Sequence, residues 1–268
     1  VAIDITYPTK ISCSTCHANH QSLEDGISAP LTLSDPVVAI ADGTILDLKG
    51  PANLCITCHQ ARKAASSYDN TTEAKTFKRT FTKTDIASYT HAAVGPAGYV
   101  QLNATEDTLT VVFDVPTDNV YVNSTHAGPH HGPQGNALLG NGGYGTSSKG
   151  THATATCTGC HMGTVDGTTG GHSFKPSLAN CNTCHSGATD FDINGKRTEF
   201  DTRLAAIQAS LEEVGALHDG HPMYSSLPRA EFQAFWNFMY LYEDHSHGAH
   251  NPPYFETLLT EAETILGL

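Results

Sequence analysis

The feature that most constrains this chain is the pattern Cys-x-x-Cys-His, which occurs four times and uses every cysteine. The segments are Cys13-Ser-Thr-Cys16-His17, Cys55-Ile-Thr-Cys58-His59, Cys157-Thr-Gly-Cys160-His161 and Cys181-Asn-Thr-Cys184-His185. Two thiols at this spacing reach the two vinyl groups of one porphyrin, and the histidine that follows supplies a nitrogen to the iron; this is the attachment signature of haem c. Eight cysteines could instead build two four-cysteine zinc sites, redox dithiols or a disulfide framework, but none of these calls for a histidine after each pair. Histidine is 16 of 268 residues, so four such placements arise by chance about once in 10^5. The cofactor expectation is therefore four haem c, each with its iron.

Bulk properties agree with a cofactor-filled interior. Only 39% of residues are hydrophobic, while Gly and Pro supply 24 and 13 residues, so something other than side chains must fill part of the core. The formal charge of −13 repels phosphate backbones and anionic lipid, which argues against nucleic acid and membrane-surface partners. No segment approaches the ~20 apolar residues of a membrane span; residues 31–47 come nearest and are broken by Asp35, Pro36, Asp42 and Asp47. Haem c attachment follows export, yet no signal segment is present, so the numbering is expected to begin at a processed mature end.

What closes the second face of each iron decides the chemistry. Iron held by two strong protein ligands passes electrons, whereas an open position can bind a substrate. Three methionines are too few for four distal ligands, and Met162 adjoins His161, so it cannot reach the opposite face of the same haem. Histidine is abundant. His20, His130, His152 and His172 are the distal candidates. His20 lies one turn from His17, too close to serve the same iron, and so belongs to another haem. His152 and His172 precede the third and fourth motifs by five and nine residues. His130 and His131 are adjacent and only one of them is expected to ligate. His250 is a fifth candidate and His126 a further substitute, while His91, His218, His221, His245 and His247 are expected at the surface or beside propionates.

The longest gap between motifs holds protein-only structure. Residues 108–115 and 119–123 read as two strands around the turn 116–118, giving a small hairpin or sheet. The Gly-rich stretch 132–150 is expected to pack its backbone against porphyrin. After the last motif the periodicity becomes helical over 201–218, 229–242 and 252–265. Phe232, Phe235, Trp236, Met239 and Tyr240 read as core in preference to a radical relay. The expected organisation is a four-haem core over 1–190 with a β insert around 100–125, and a helical segment over 191–268 packed on it. The fold class is mostly irregular, with short helices, a small central sheet and C-terminal helices. Sequons at Asn70, Asn103 and Asn123 mark candidate glycosylation sites, and the Ser/Thr-rich stretch 65–84 reads as exposed surface.

Several segments resemble known multihaem c-type cytochromes: His130-His131-Gly-Pro-Gln-Gly-Asn-Ala-Leu-Leu-Gly140, His152 before the third motif, and Gly-Gly-His172-Ser-Phe-Lys-Pro before the fourth. The segment from Asp244 to Pro252 is similar to one in relatives of cytochrome c nitrite reductase. As a whole, the haem-bearing parts most resemble the OmcE-like tetrahaem extracellular cytochrome filaments, or cytochrome nanowires. That resemblance implies four stacked haems and bis-histidine iron throughout. It also implies a head-to-tail homopolymer, in which His20 ligates the Cys181/Cys184 haem of an adjacent copy. The expected role is then electron transfer without catalysis, outside the cell or at its surface, with redox proteins or extracellular acceptors as partners. Two alternatives stand beside it: a soluble periplasmic tetrahaem shuttle, and a reductase of the nitrite or hydroxylamine type.

Overall fold

The computed structural model describes residues 11–18, 30–68, 75–82, 99–104 and 108–268. In chain order its helices are α1 (Cys13–Cys16), α2 (Pro51–Ile56), α3 (Gln134–Leu139), α4 (His152–His161), α5 (Leu178–Cys181), α6 (Lys196–Glu213), α7 (Arg229–Asp244) and α8 (Pro252–Leu266). Its strands are β1 (Val37–Val38), β2 (Ile45–Leu46), β3 (Lys75–Thr82), β4 (Tyr99–Ala104), β5 (Thr108–Val115), β6 (Asn119–Val122), β7 (Leu217–His218), β8 (His221–Pro222) and β9 (Ser225–Pro228). Short helices, small sheets and long C-terminal helices are thus all present, as expected.

The principal core lies among α6, α7 and α8. Phe232, Phe235, Trp236, Met239 and Tyr240 are buried there with Ile207, Leu211, Leu258 and Leu259, so the aromatic stripe is core. Each such side chain contributes about 1.5–3 kcal/mol on burial. Val120, Val122, Ala127 and Ala137 join the same cluster, tying the helices to the central part of the chain. Asn251 caps α8 by accepting from the Tyr254 amide, and Pro252 occupies the first helical position, where its missing N–H costs nothing.

α6 starts five residues earlier than the periodicity suggests. The Asp192 carboxylate accepts from the amides of Arg197 and Thr198, satisfying donors that a helix start leaves unpaired. It also stops sooner, because the chain turns at Gly215 (φ 73°) and commits Leu217–His218 to an antiparallel pair with His221–Pro222.

The two central strands exist but do not form a hairpin with each other. β5 is the middle strand of an antiparallel sheet ordered β3-β5-β4, with Phe77 opposite Phe113. β6 instead pairs with β9, Val120 facing Leu227. The turn closed by Asn119 N–H to Pro116 C=O redirects the chain, and Val120 and Val122 then join the core built on α7.

The Gly-rich stretch 132–150 contains α3, and parts of its backbone approach other protein groups closely. A Cβ at Gly142 would lie 3.0 Å from the Tyr240 ring, and one at Gly143 would lie 2.8 Å from Leu258. Trp236 Nε1 donates to Gly142 C=O and Tyr240 Oη to Asn141 C=O, so the loop is pinned to α7.

Candidate functional site

Each Cys-x-x-Cys-His segment folds as one helical turn. The histidine amide returns to the carbonyl of the first cysteine at 2.8 Å in the first motif, 3.0 Å in the second and 2.7 Å in the fourth, and the third motif forms the second half of α4. Positions i, i+3 and i+4 share one face of a helix, so two sulfurs and an imidazole point the same way. No two of the eight cysteines form a disulfide.

The motifs crowd together. α2 and α4 pack on each other, and Cys157 of α4 lies against the cluster that holds Ile56 of α2. Burial raises Cys160, with a further contribution from nearby Cys181 and Cys184. The second motif therefore touches the third, and the third lies beside the fourth.

Three motif histidines face a second histidine across a gap. The ring centroids are 6.1 Å apart for His17 and His172, 6.1 Å for His185 and His152, and 6.3 Å for His161 and His250. A metal–imidazole nitrogen bond is about 2.0 Å, and conjugated ring bonds of ~1.33 Å put each ring atom about 1.1 Å from its centre. Two imidazoles on opposite sides of one metal atom therefore have centroids about 6.2 Å apart. The three observed gaps match that spacing, so these residues fit an iron held from both sides.

The far nitrogens are held too. His161 Nδ1 donates to Phe174 C=O at 2.9 Å, His152 Nδ1 donates to Ala249 C=O, and His250 Nδ1 donates to the Asp244 carboxylate at 2.7 Å. His59 Nδ1 donates to Gln134 Oε1 at 3.2 Å. Such contacts fix the ring orientation and leave Nε2 free for a metal.

Packing gives a second fit test. α1, α4 and α5, which carry the first, third and fourth motifs, bury no residue. A ten-residue helix draws most of its stability from packing, and α4 offers only the partly buried Ala153 and Cys157 to the neighbouring core. Large apolar side chains stand exposed near the same motifs: Ile11 at 88%, Val165 at 69%, Phe174 at 53% and Phe191 at 49%. Porphyrin faces would cover surface of this kind.

His130 lies outside the three pairs. Its ring is 6.1 Å from His126 and 4.8 Å from His131, and burial with its two histidine neighbours lowers its basicity. The loop is strained: His130, His131 and Gly132 all have left-handed φ, near 60°, 65° and 69°. It is anchored where the His131 amide donates to Glu243 and the amides of Arg62 and Lys63 donate to Pro129 C=O. Among the described residues His59 has no facing histidine at the spacing of the three pairs. His20, His91 and Asn70 lie outside the described residues. Asn123 is exposed. Among the described residues no cluster of three or more His, Cys, Asp or Glu side chains could hold a bare metal ion, and no helix is long and apolar enough to cross a membrane.

Of the expected distal residues, His152 and His172 stand opposite motif histidines, His130 does not, and His250 does. Sequence reasoning missed Gln134 and Asp244. Asp244 sits six residues before His250 in the segment already singled out, so its spacing was visible although its contact was not.

Among solved structures, the chain is similar in fold to a multihaem cytochrome. The undecahaem cytochrome from the S-layer of Carboxydothermus ferrireducens superposes over 96% of this chain with a TM-score of 0.51 at 19% identity, covering 31% of that protein. The outer cell wall cytochrome OcwA matches 51% of this chain and 30% of its own length, with a TM-score of 0.38 at 25% identity. The chain thus spans about a third of the length of either structure. No protein-family model matches it, and neither does any curated protein.

Proposed function

We propose that this chain transfers electrons through four covalently attached haem c groups and works as the subunit of an extracellular cytochrome filament. The observation that carries the reading is the set of three histidine pairs at 6.1–6.3 Å, each joining a motif histidine to a distant one. An iron closed on both sides has no position for a substrate, which favours a carrier over a catalyst. Cys13, Cys16, Cys55, Cys58, Cys157, Cys160, Cys181 and Cys184 would hold the porphyrins. His17, His59, His161 and His185 would be proximal, with His172, His250 and His152 opposite the first, third and fourth. The haems supply one-electron chemistry, and the protein sets ligand identity and spacing.

The remaining iron, behind His59, suits a ligand from a second copy. The resemblance assigns His20 to the haem of Cys181 and Cys184, but His152 already stands 6.1 Å from His185. His20 of a neighbouring copy is therefore assigned to the iron of His59. A head-to-tail contact of this type that does not close produces a filament. The S-layer setting named for the structural neighbour supports a location at or beyond the cell surface.

Ligand variants test the scheme. His152→Ala and His20→Ala should each turn one haem in four high-spin, and the double variant two. If His152→Ala leaves every haem low-spin, His152 is not a ligand. Electron microscopy should show filaments for the native protein and none for His20→Ala; intact filaments with four low-spin haems in that variant would refute the assembly. The reductase reading gains only if native filaments retain a high-spin iron that binds nitrite or hydroxylamine.

A further inference from the structure

The four held imidazoles do not share one kind of acceptor. His161 and His152 donate to backbone carbonyls, His59 to an amide oxygen, and His250 alone to a carboxylate. That carboxylate, Asp244, is fully buried as a side chain. Its other donors are the Ser246 amide and hydroxyl. Among the described residues no lysine or arginine pairs with it, so the imidazole is its main electrostatic partner.

The backbone places it there by design of the turn. α7 ends at His245 in the left-handed region, and His247 and Gly248 are left-handed as well. This tight sequence of turns folds His250 back over the end of α7, onto the side chain six residues earlier.

An imidazole that donates to a carboxylate carries more negative charge on the ring and is the stronger donor to a metal. The buried anion also favours the oxidised iron over the reduced one, since little solvent screens it. The geometry points to Asp244 as a positioning and tuning residue, one that makes the iron between His161 and His250 more reducing than it would be without that buried charge. The inference rests on the ligand reading above, in which His250 closes that iron.

The same residues connect two sites. Gln134 accepts from His59 Nδ1 and donates through Nε2 to the Asp244 carbonyl at 3.1 Å. The end of α7 therefore supports the second-motif imidazole through its backbone and the third-site imidazole through its side chain. Only the latter receives a full charge.

Spectroelectrochemical titration of the holoprotein tests this. Asp244→Asn keeps the shape and the hydrogen bond but removes the charge. It should raise one of the four midpoints, that of the iron opened in His250→Ala, by about tenfold in the reduced-to-oxidised ratio, ~59 mV for one electron, with all haems still low-spin. Ser246→Ala, which removes a competing donor from the carboxylate, should move the same component the other way. That reversal of sign is something a merely structural role would not produce. His250→Ala separates the two levels of the argument. Four low-spin haems in that variant would overturn the ligand reading itself. One opened iron in His250→Ala, with all four midpoints unmoved in both Asp244→Asn and Ser246→Ala, would overturn the tuning role alone.

Discussion

Asn251→Ala should be among the most damaging single changes outside the haem ligands. Asn251 is fully buried and joins three segments: its side chain accepts from the Tyr254 amide at the start of α8, and donates to Ala137 C=O at 3.0 Å and Ser148 C=O at 2.8 Å. Losing the cap costs about 1 kcal/mol. Losing the bond to Ala137 costs about another 1 kcal/mol, since that carbonyl still accepts from Gly140. Ser148 C=O loses a buried partner, at about 1–3 kcal/mol. The total is about 3–5 kcal/mol, a large share of the 5–15 kcal/mol typical of a domain. Asn251→Asp keeps the cap but turns a carboxylate toward two carbonyl oxygens, so it should be no better. Urea unfolding followed by far-UV circular dichroism would read the loss as an earlier midpoint. His250 precedes Asn251 directly, so the same variant should also show a partly high-spin haem below its transition. A midpoint unchanged within 1 kcal/mol, with every haem low-spin, would refute the view that Asn251 ties these segments together.

Other perturbations read separate parts of the structure. Gly170→Ala should disturb the turn that presents His172, because its Cβ would meet Thr164 C=O at 2.2 Å at a φ of 75°; one high-spin haem is expected by electronic spectroscopy. Glu243, pushed up to about 7 by burial, is neutral more often in the folded chain than in the unfolded one. Its contribution to stability should therefore be lost as pH rises from about 4.5 through 7, and Glu243→Gln should flatten that part of a melting-temperature profile. Arg203 bridges Glu256 and Glu263, both at 2.7 Å, between α6 and α8. Arg203→Met should lower the melting temperature by only a few degrees, since partly exposed pairs are worth about 0–1 kcal/mol, and leave the haem spectrum unchanged.

The haem-attachment signature is legible because it is local: five consecutive residues make one turn, and no tertiary fold is needed to aim them. The C-terminal helices were legible for a similar reason, since Ile207, Leu211, Leu258 and Leu259 repeat at helical spacing. Which histidine faces which was not. His172 faces His17 from 155 positions away in sequence, and only the path of the intervening chain decides that meeting. Asp192 extended α6 through side-chain bonds that periodicity ignores. β6 left β5 for β9 because burial on α7 outweighed the nearest neighbour. Gln134, 75 residues from His59, acts through a contact of the folded state alone.

The helices that bear the first, third and fourth motifs bury nothing of their own, and this has a consequence for biogenesis. A maturation enzyme that stitches haem to these cysteines would meet short helices in which no side chain is fully buried. The α6–α8 assembly, which needs no prosthetic group to hide its aromatic residues, can condense beforehand and offer a rigid platform. Loading of each porphyrin then doubles as the folding step for the stretch that receives it, and incompletely loaded chains would be marked for proteolysis at those stretches first.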